Sequence, residues 1–182
     1  MKPAATETTA PVNAKAPQAG TAMAPPTSIV TRMDFAASPA QVWEGLMFYE
    51  QIEERPPLHL RLLLPVPIRT EGSKSAVGDE ALCLYHGGHL LKRVTQIDPG
   101  RYYGFEVVEQ NLAIGRGLTL SGGCYTLRGL PDGRTEVAVT TRYASQKRPP
   151  WLWKPIEATV CHVFHRHLLT SIRRKIELEQ GK

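Results

Sequence analysis

The 182-residue sequence predicts an α+β fold, an antiparallel sheet joined to one long C-terminal helix. Three observations point there. An alternating strand pattern, "SIVTRMDFAAS", runs straight into a capped amphipathic helix. Five further strand patterns follow, separated by turn-forming Gly, Asp and Pro. A closing stretch of about 25 residues then contains neither until Gly181.

The chain begins with "MKPAATETTAPVNAKAPQAGTAMAPPTS", rich in Ala, Pro and Thr and without aromatics. Such a segment buries too little surface to offset chain entropy. Residues 1–27 are expected to be a disordered arm, and residues 28–179 one folded domain. The arm has no continuous apolar core, which argues against a secretory signal. No run in the chain approaches the roughly 18 apolar residues of a membrane helix. Cys83, Cys124 and Cys161 are odd in number and widely spaced, the usage of free thiols in a reducing compartment. A cytoplasmic location is therefore expected.

In the first strand Ile29, Thr31, Met33 and Phe35 alternate with Val30, Arg32 and Asp34. Ser38 then serves as an N-cap, and Pro39 fits the first helical position, where a missing N–H costs nothing. Val42, Leu46 and Tyr49 recur at helical spacing, with Trp43 and Met47 widening the apolar stripe. The four prolines of "EERPPLHLRLLLPVPIRTEGSKS" predict an irregular connection. Beyond it, "GDEALCLYH" and "HLLKRVTQID" flank Gly87-Gly88, read as a two-residue hairpin turn. "DPG" leads into "GRYYGFEVVEQN", and "PDG" joins "GLTLSGGCYTLRGL" to "RTEVAVTTRYAS", completing a five-stranded meander. Pro155 is expected to open the final helix.

The "SPAQVW" entry into the first helix resembles the S-P-x-x-V-W hallmark of the START-like, helix-grip (SRPBCC) superfamily. "VTQIDPGRYYGFEV" is similar to that superfamily's strand–turn–strand, and the element order matches from about Ser28 to Glu179. The resemblance implies a curved antiparallel sheet wrapped around the C-terminal helix, with an apolar cavity between them. It also implies kinship with polyketide cyclase/dehydrase and lipid-transport proteins, and with a chaperone-activating branch.

On a helical wheel Val160, Cys161, Phe164, Leu168 and Ile172 share one broad face, the side expected to be gripped by the sheet. "CHVFHRH" concentrates three of the six histidines of the chain here. His162 and Arg166 fall on the opposite, solvated side, and His165 and His167 lie at the two edges of the apolar stripe. Val163 and His167 are taken as cavity-facing, His167 as a polar fixing point for a ligand. No acidic helper accompanies these histidines, so no metal site and no cofactor are expected.

The turn at Gly87-Gly88 would make His86 and His89 cross-strand neighbours and set Leu84 opposite Leu91 on the same face. Tyr103, Phe105 and Val107 share a face of the central strand. The "PDG" loop pairs Tyr125 with Val139, Leu127 with Val137 and Ser121 with Tyr143. Leu84, Leu91, Tyr103, Phe105, Tyr125, Val139 and Tyr143 are therefore candidate cavity residues, the tyrosines able to orient a ligand. Gly122-Gly123 fits a bulge or a space for something bulky. Trp151 and Trp153, flanked by Arg148 and Lys154, are gate candidates or a membrane-interface anchor.

The formal net charge is +5, concentrated where eight lysines and arginines between Arg142 and Lys175 face only Glu157. An anionic membrane surface or an acidic protein could meet this region. Nucleic acid is disfavoured, because no nucleic-acid-reading motif accompanies the charge. Nucleophile motifs, phosphate loops and metal triads are absent, and only Glu106 and Glu109 offer acids that could face inward. Binding or transport of a hydrophobic molecule, lipid-, quinone- or polyketide-like, is the leading expectation. A cyclase or dehydratase using the same cavity, or a protein-interaction module, are the alternatives.

Overall fold

A computed structural model describes residues 26–47, 67–112 and 117–180. The arm up to residue 25, Tyr49 and most of the proline-rich connection lie outside the described residues. The elements are β1 (Thr27–Phe35), α1 (Pro39–Met47), β2 (Pro67–Gly72), β3 (Glu80–Tyr85), β4 (Gly88–Asp98), β5 (Tyr102–Leu112), β6 (Leu118–Gly129), β7 (Thr135–Ser145) and α2 (Pro150–Gln180).

The strands form one antiparallel sheet in the order β1-β7-β6-β5-β4-β3-β2. The first strand thus crosses over to pair with the last, Thr31 opposite Val139 and Phe35 opposite Thr135. The connection expected to be irregular contributes β2, an edge strand on β3. Pro67 is tolerated there because it sits at the first position of an edge strand, next to a register shift.

Three further register shifts, beyond the one at the β2 edge, bend the sheet. They fall between Leu91 and Lys92, between Val94 and Gln96, and between Leu120 and Gly122. Each leaves a residue unpaired and increases the local twist, which lets one side of the sheet curl around a helix. The third bulge corrects the expected pairing of Ser121 with Tyr143: Tyr143 lies opposite Leu120, and Ser121 is the extra residue. Gly122 follows at φ +145°, where a Cβ would lie 2.4 Å from the Phe105 carbonyl oxygen, so only glycine fits.

The cap on α1 is a reciprocal box. The Ser38 N–H donates to Gln41 Oε1 (3.0 Å) and the Gln41 N–H points back at Ser38 Oγ (3.5 Å). Val42 and Leu46 are buried, and Gly45 lets α1 approach α2 so closely that an added Cβ would sit 2.7 Å from Ile176 Cγ1.

Helix α2 starts at Pro150, earlier than Pro155, and both tryptophans belong to its first turns rather than to a loop. Leu152 and Trp153 donate backbone N–H bonds to the Pro149 carbonyl, which closes the helix start. Pro155 removes only the bond that would go to the Trp151 carbonyl. That residue is exposed, so water can satisfy the group. The C-terminal half of α2 buries Leu169, Ile172 and Ile176 with Phe35, Val42 and Val137 in the main core. Its N-terminal half lies over open space.

Candidate functional site

That space is a cavity of about 490 Å³ between the inner sheet face and the first half of α2. Leu90, Val107, Leu112, Leu118 and Leu120 supply apolar wall from β4, β5 and β6. Val160, Cys161, Phe164, Leu168 and Ile172, the face expected to be gripped, close it from α2. A volume of this size with mostly apolar walls and a few polar groups is the ordinary form of a small-molecule site.

Of the candidate cavity residues, Tyr103, Phe105, Tyr125, Val139 and Tyr143 line the cavity. The rings of Tyr103, Phe105 and Tyr125 form a tilted cluster with centroids 6.3 to 6.5 Å apart. Leu91, Val163 and His167 do not line it. Leu91 fails because it lies opposite Glu109 of β5, on the outer face of the sheet, and the hairpin turn itself lies one residue earlier than expected. His86-Gly87 are the loop residues, Tyr85 pairs with Gly88, Leu84 with His89, and Leu91 with Leu82. Moving the turn back by one residue shifts cross-strand partners by two, so Leu84, His89 and Leu91 still share one face, and that face is the outer one. Leu84 borders the cavity yet shares its register position with His89, which turns away to bond Glu109 Oε1 at 3.0 Å. His86 is exposed in the turn, so "HGGH" forms no histidine pair.

Lys92, opposite Val107 of β5, lies on the inner face between Leu90 and Val94. Its Nζ stands 4.9 Å from the Phe105 ring centroid, and among the described residues it has no ion pair. Burial is the largest influence on Lys92 and opposes its charge. Tyr85, Cys83, Tyr125 and Tyr103 favour the charge, but only to the extent that they are ionised. Burial also holds Tyr103 up at about 12 and raises Tyr85, so near neutrality these phenols stand beside the amine as neutral hydroxyls, while the net direction for Lys92 itself is upward.

The histidine that reaches the cavity is His165, at 1% exposure, rather than His167. Its Nδ1 is 2.9 Å from Thr31 Oγ1 and its Nε2 is 2.7 Å from Thr141 Oγ1. Thr31 Oγ1 also meets His162 Nδ1 at 2.7 Å, so His162 is drawn onto β1 instead of into solvent. Burial, then the nearby His162, lowers the His165 pKa to about 4, and the ring is neutral at pH 7. A neutral ring gives one donor and one acceptor, and the two threonine hydroxyls complement it in either direction. Cys161 Sγ lies 3.5 Å from His165 Nε2, but burial pushes the thiol up to about 11. The pair is thus a neutral contact and not an activated nucleophile.

Farther along α2, Glu157 is buried and lines the cavity. Ser145 donates to its Oε1 at 2.6 Å, while its Oε2 and the Tyr143 hydroxyl are buried without a hydrogen-bond partner. Burial, followed by the charge of Glu157, raises Tyr143 to about 12. Lys92, His165 and Glu157 escaped the sequence reading. Lys92 had a signal, its alternation with Leu90 and Val94, the two buried residues that mark the inner face of β4. Glu106 and Glu109, the acids considered for the interior, do not line the cavity.

Trp153 lines the mouth, where its Nε1–H donates to the Arg148 carbonyl at 3.0 Å and Lys147 Nζ stands 4.6 Å from the ring centroid. Trp151 is 76% exposed, with Leu152 and Ile156 also exposed nearby on the helix. The described residues include no group of three or more ligand side chains that could hold a metal ion. No helix among them is long and apolar enough to cross a membrane.

A bent antiparallel sheet gripping a C-terminal helix, with a cavity between them, is the START-like, helix-grip fold. Solved structures of the same fold include a START superfamily protein from Mycobacterium smegmatis, at 11% identity and TM-score 0.59, covering 83% of this chain and 97% of that one. The Zhui aromatase/cyclase from a Streptomyces species aligns at 16% identity and TM-score 0.58, over 84% of this chain and 94% of that chain. Truncated norcoclaurine synthase from Thalictrum flavum aligns at 11% identity and TM-score 0.60, over 87% and 98%. No family model matches the sequence, and no curated protein matches it.

Proposed function

We propose that residues 28–179 form a ligand-binding domain that holds one hydrophobic small molecule between the sheet and α2, in the cytoplasm. The observation that carries this reading is the cavity itself: about 490 Å³, walled by leucines, valines and aromatics, in a fold whose core is otherwise well packed. Interiors normally close to crystal-like density, so retained apolar space signals a guest. Trp151 and Trp153, at the start of α2, act as the gate in this reading. Likeness to an aromatase/cyclase and a START superfamily protein supports a lipid-, quinone- or polyketide-like guest.

A second reading, a cyclase- or dehydratase-type enzyme, is favoured by one observation. Glu157 presents a buried carboxylate oxygen without a partner to the cavity, beside the equally unpartnered Tyr143 hydroxyl. An acid and a phenol side by side could move a proton on a bound substrate. Native mass spectrometry of protein purified without added ligand, followed by organic extraction, tests the first reading. A stoichiometric hydrophobic species is the expected result. A clean apo mass together with no displacement of an apolar fluorescent probe would overturn it.

A further inference from the structure

We propose that the guest is a carboxylate-bearing amphiphile whose acid group pairs with Lys92 while its apolar body fills the space toward α2. The inference rests on the ligand-binding reading above and names the chemistry of its guest.

Lys92 occupies an inward position of β4, flanked by Leu90 and Val94 and opposite Val107 of β5. Its ammonium lies against the Phe105 ring, and no carboxylate among the described residues pairs with it. Lys92 is half-buried at the cavity wall, so its ammonium gives up part of its hydration with no counter-ion beside it, an arrangement that favours an opposite charge arriving with the guest. The cation–π contact with Phe105 offsets only part of that lost hydration. The missing anion is therefore brought by the guest.

The other charges at the cavity are already engaged or distant. Arg69 pairs with Glu71, and Lys147 stacks on Trp153 at the mouth. Lys74 also borders the cavity, on the segment leading into β3. Glu157 sits beyond the end of β7, three strands from β4 in the sheet order. At ordinary strand spacing that is roughly 14 Å. An anion at Lys92 is thus clear of Glu157, and the apolar length between them suits an alkyl or fused-ring body. Tyr85 and Tyr103, beside Lys92 and neutral, offer hydroxyl donors that a two-oxygen acid group can use along with the amine.

The test is calorimetric titration of the full-length protein with decanoate and with decanol, two probes of equal chain and opposite headgroup character. Wild type is expected to bind decanoate about 30-fold more tightly, the scale of a charge-assisted hydrogen bond. Lys92→Met keeps the side-chain length, removes the half-buried charge and is expected to fold. It should bind the two probes alike. Equal binding of acid and alcohol by wild type, or an acid preference that survives in Lys92→Met, overturns the assignment of Lys92 and leaves the cavity reading standing. Binding of neither probe by wild type overturns both.

Discussion

The polar groups of the cavity are arranged so that neutral forms meet neutral partners, and His165 shows what this costs on acidification. With Thr31 on one ring nitrogen and Thr141 on the other, protonation leaves a buried cation facing hydroxyls, the neutral Cys161 thiol and His162. The folded-state pKa of about 4 lies below the ordinary 6.5. As pH falls through 6.5 the unfolded chain takes up a proton that the folded chain refuses until about pH 4. Stability associated with this residue is therefore complete above pH 6.5 and is lost between there and pH 4, by up to about 3 kcal/mol. Urea unfolding at pH 7 and pH 4.5 checks it against His165→Gln, in which that part of the pH dependence should vanish. An identical acid loss in the variant would place the titration elsewhere.

At the scale of the element, α2 is two structures in one helix. Its C-terminal half is solid core, Leu169 fully buried against α1 and β1 residues. Its N-terminal half faces the cavity through Phe164, Cys161 and Val160. Leu169→Ala should cost about 3 kcal/mol, the transfer energy of the lost carbons plus an unrelaxed void. Phe164→Ala removes more carbon yet should cost clearly less, since one side of that ring already lacks packing partners. Chemical denaturation of the two variants compares them directly. Equal losses would mean that the cavity is closed in solution. Pattern reading had found this helix and its inner face, because period 3.6 is a local property. It misjudged the start, because Pro155 looks like an N-terminus until Pro150 is seen to carry the helix past it.

For the whole molecule, the bulges and the β1–β7 pairing close the sheet around α2, whose first turns put Trp153 at the cavity and leave Trp151 exposed outside its lining. At 76% exposure that side chain contributes little to the core. Trp151→Ala should alter stability by less than about 0.5 kcal/mol. If the tryptophan gates the mouth, the same change should speed both entry and release of a fluorescent apolar probe, measured by stopped flow. Unchanged rates would assign the tryptophan to another surface role.

The sequence by itself determined the order of strands and helices, the capped entry at Ser38-Pro39, and an inward set built on Tyr103, Phe105, Tyr125, Val139 and Tyr143. These follow from periodicities and turn chemistry that span a few residues. Tertiary structure alone decided that β2 joins the sheet edge, that His165 rather than His167 turns to the cavity, and that Lys92 rather than Leu91 faces in. Strand β4 carries leucines on both of its faces, so its own sequence does not say which face turns in, and the helix stripe has two edges. Only packing across the molecule, with Thr31 and Thr141 waiting for one imidazole and the sheet bulged around α2, breaks those near-ties.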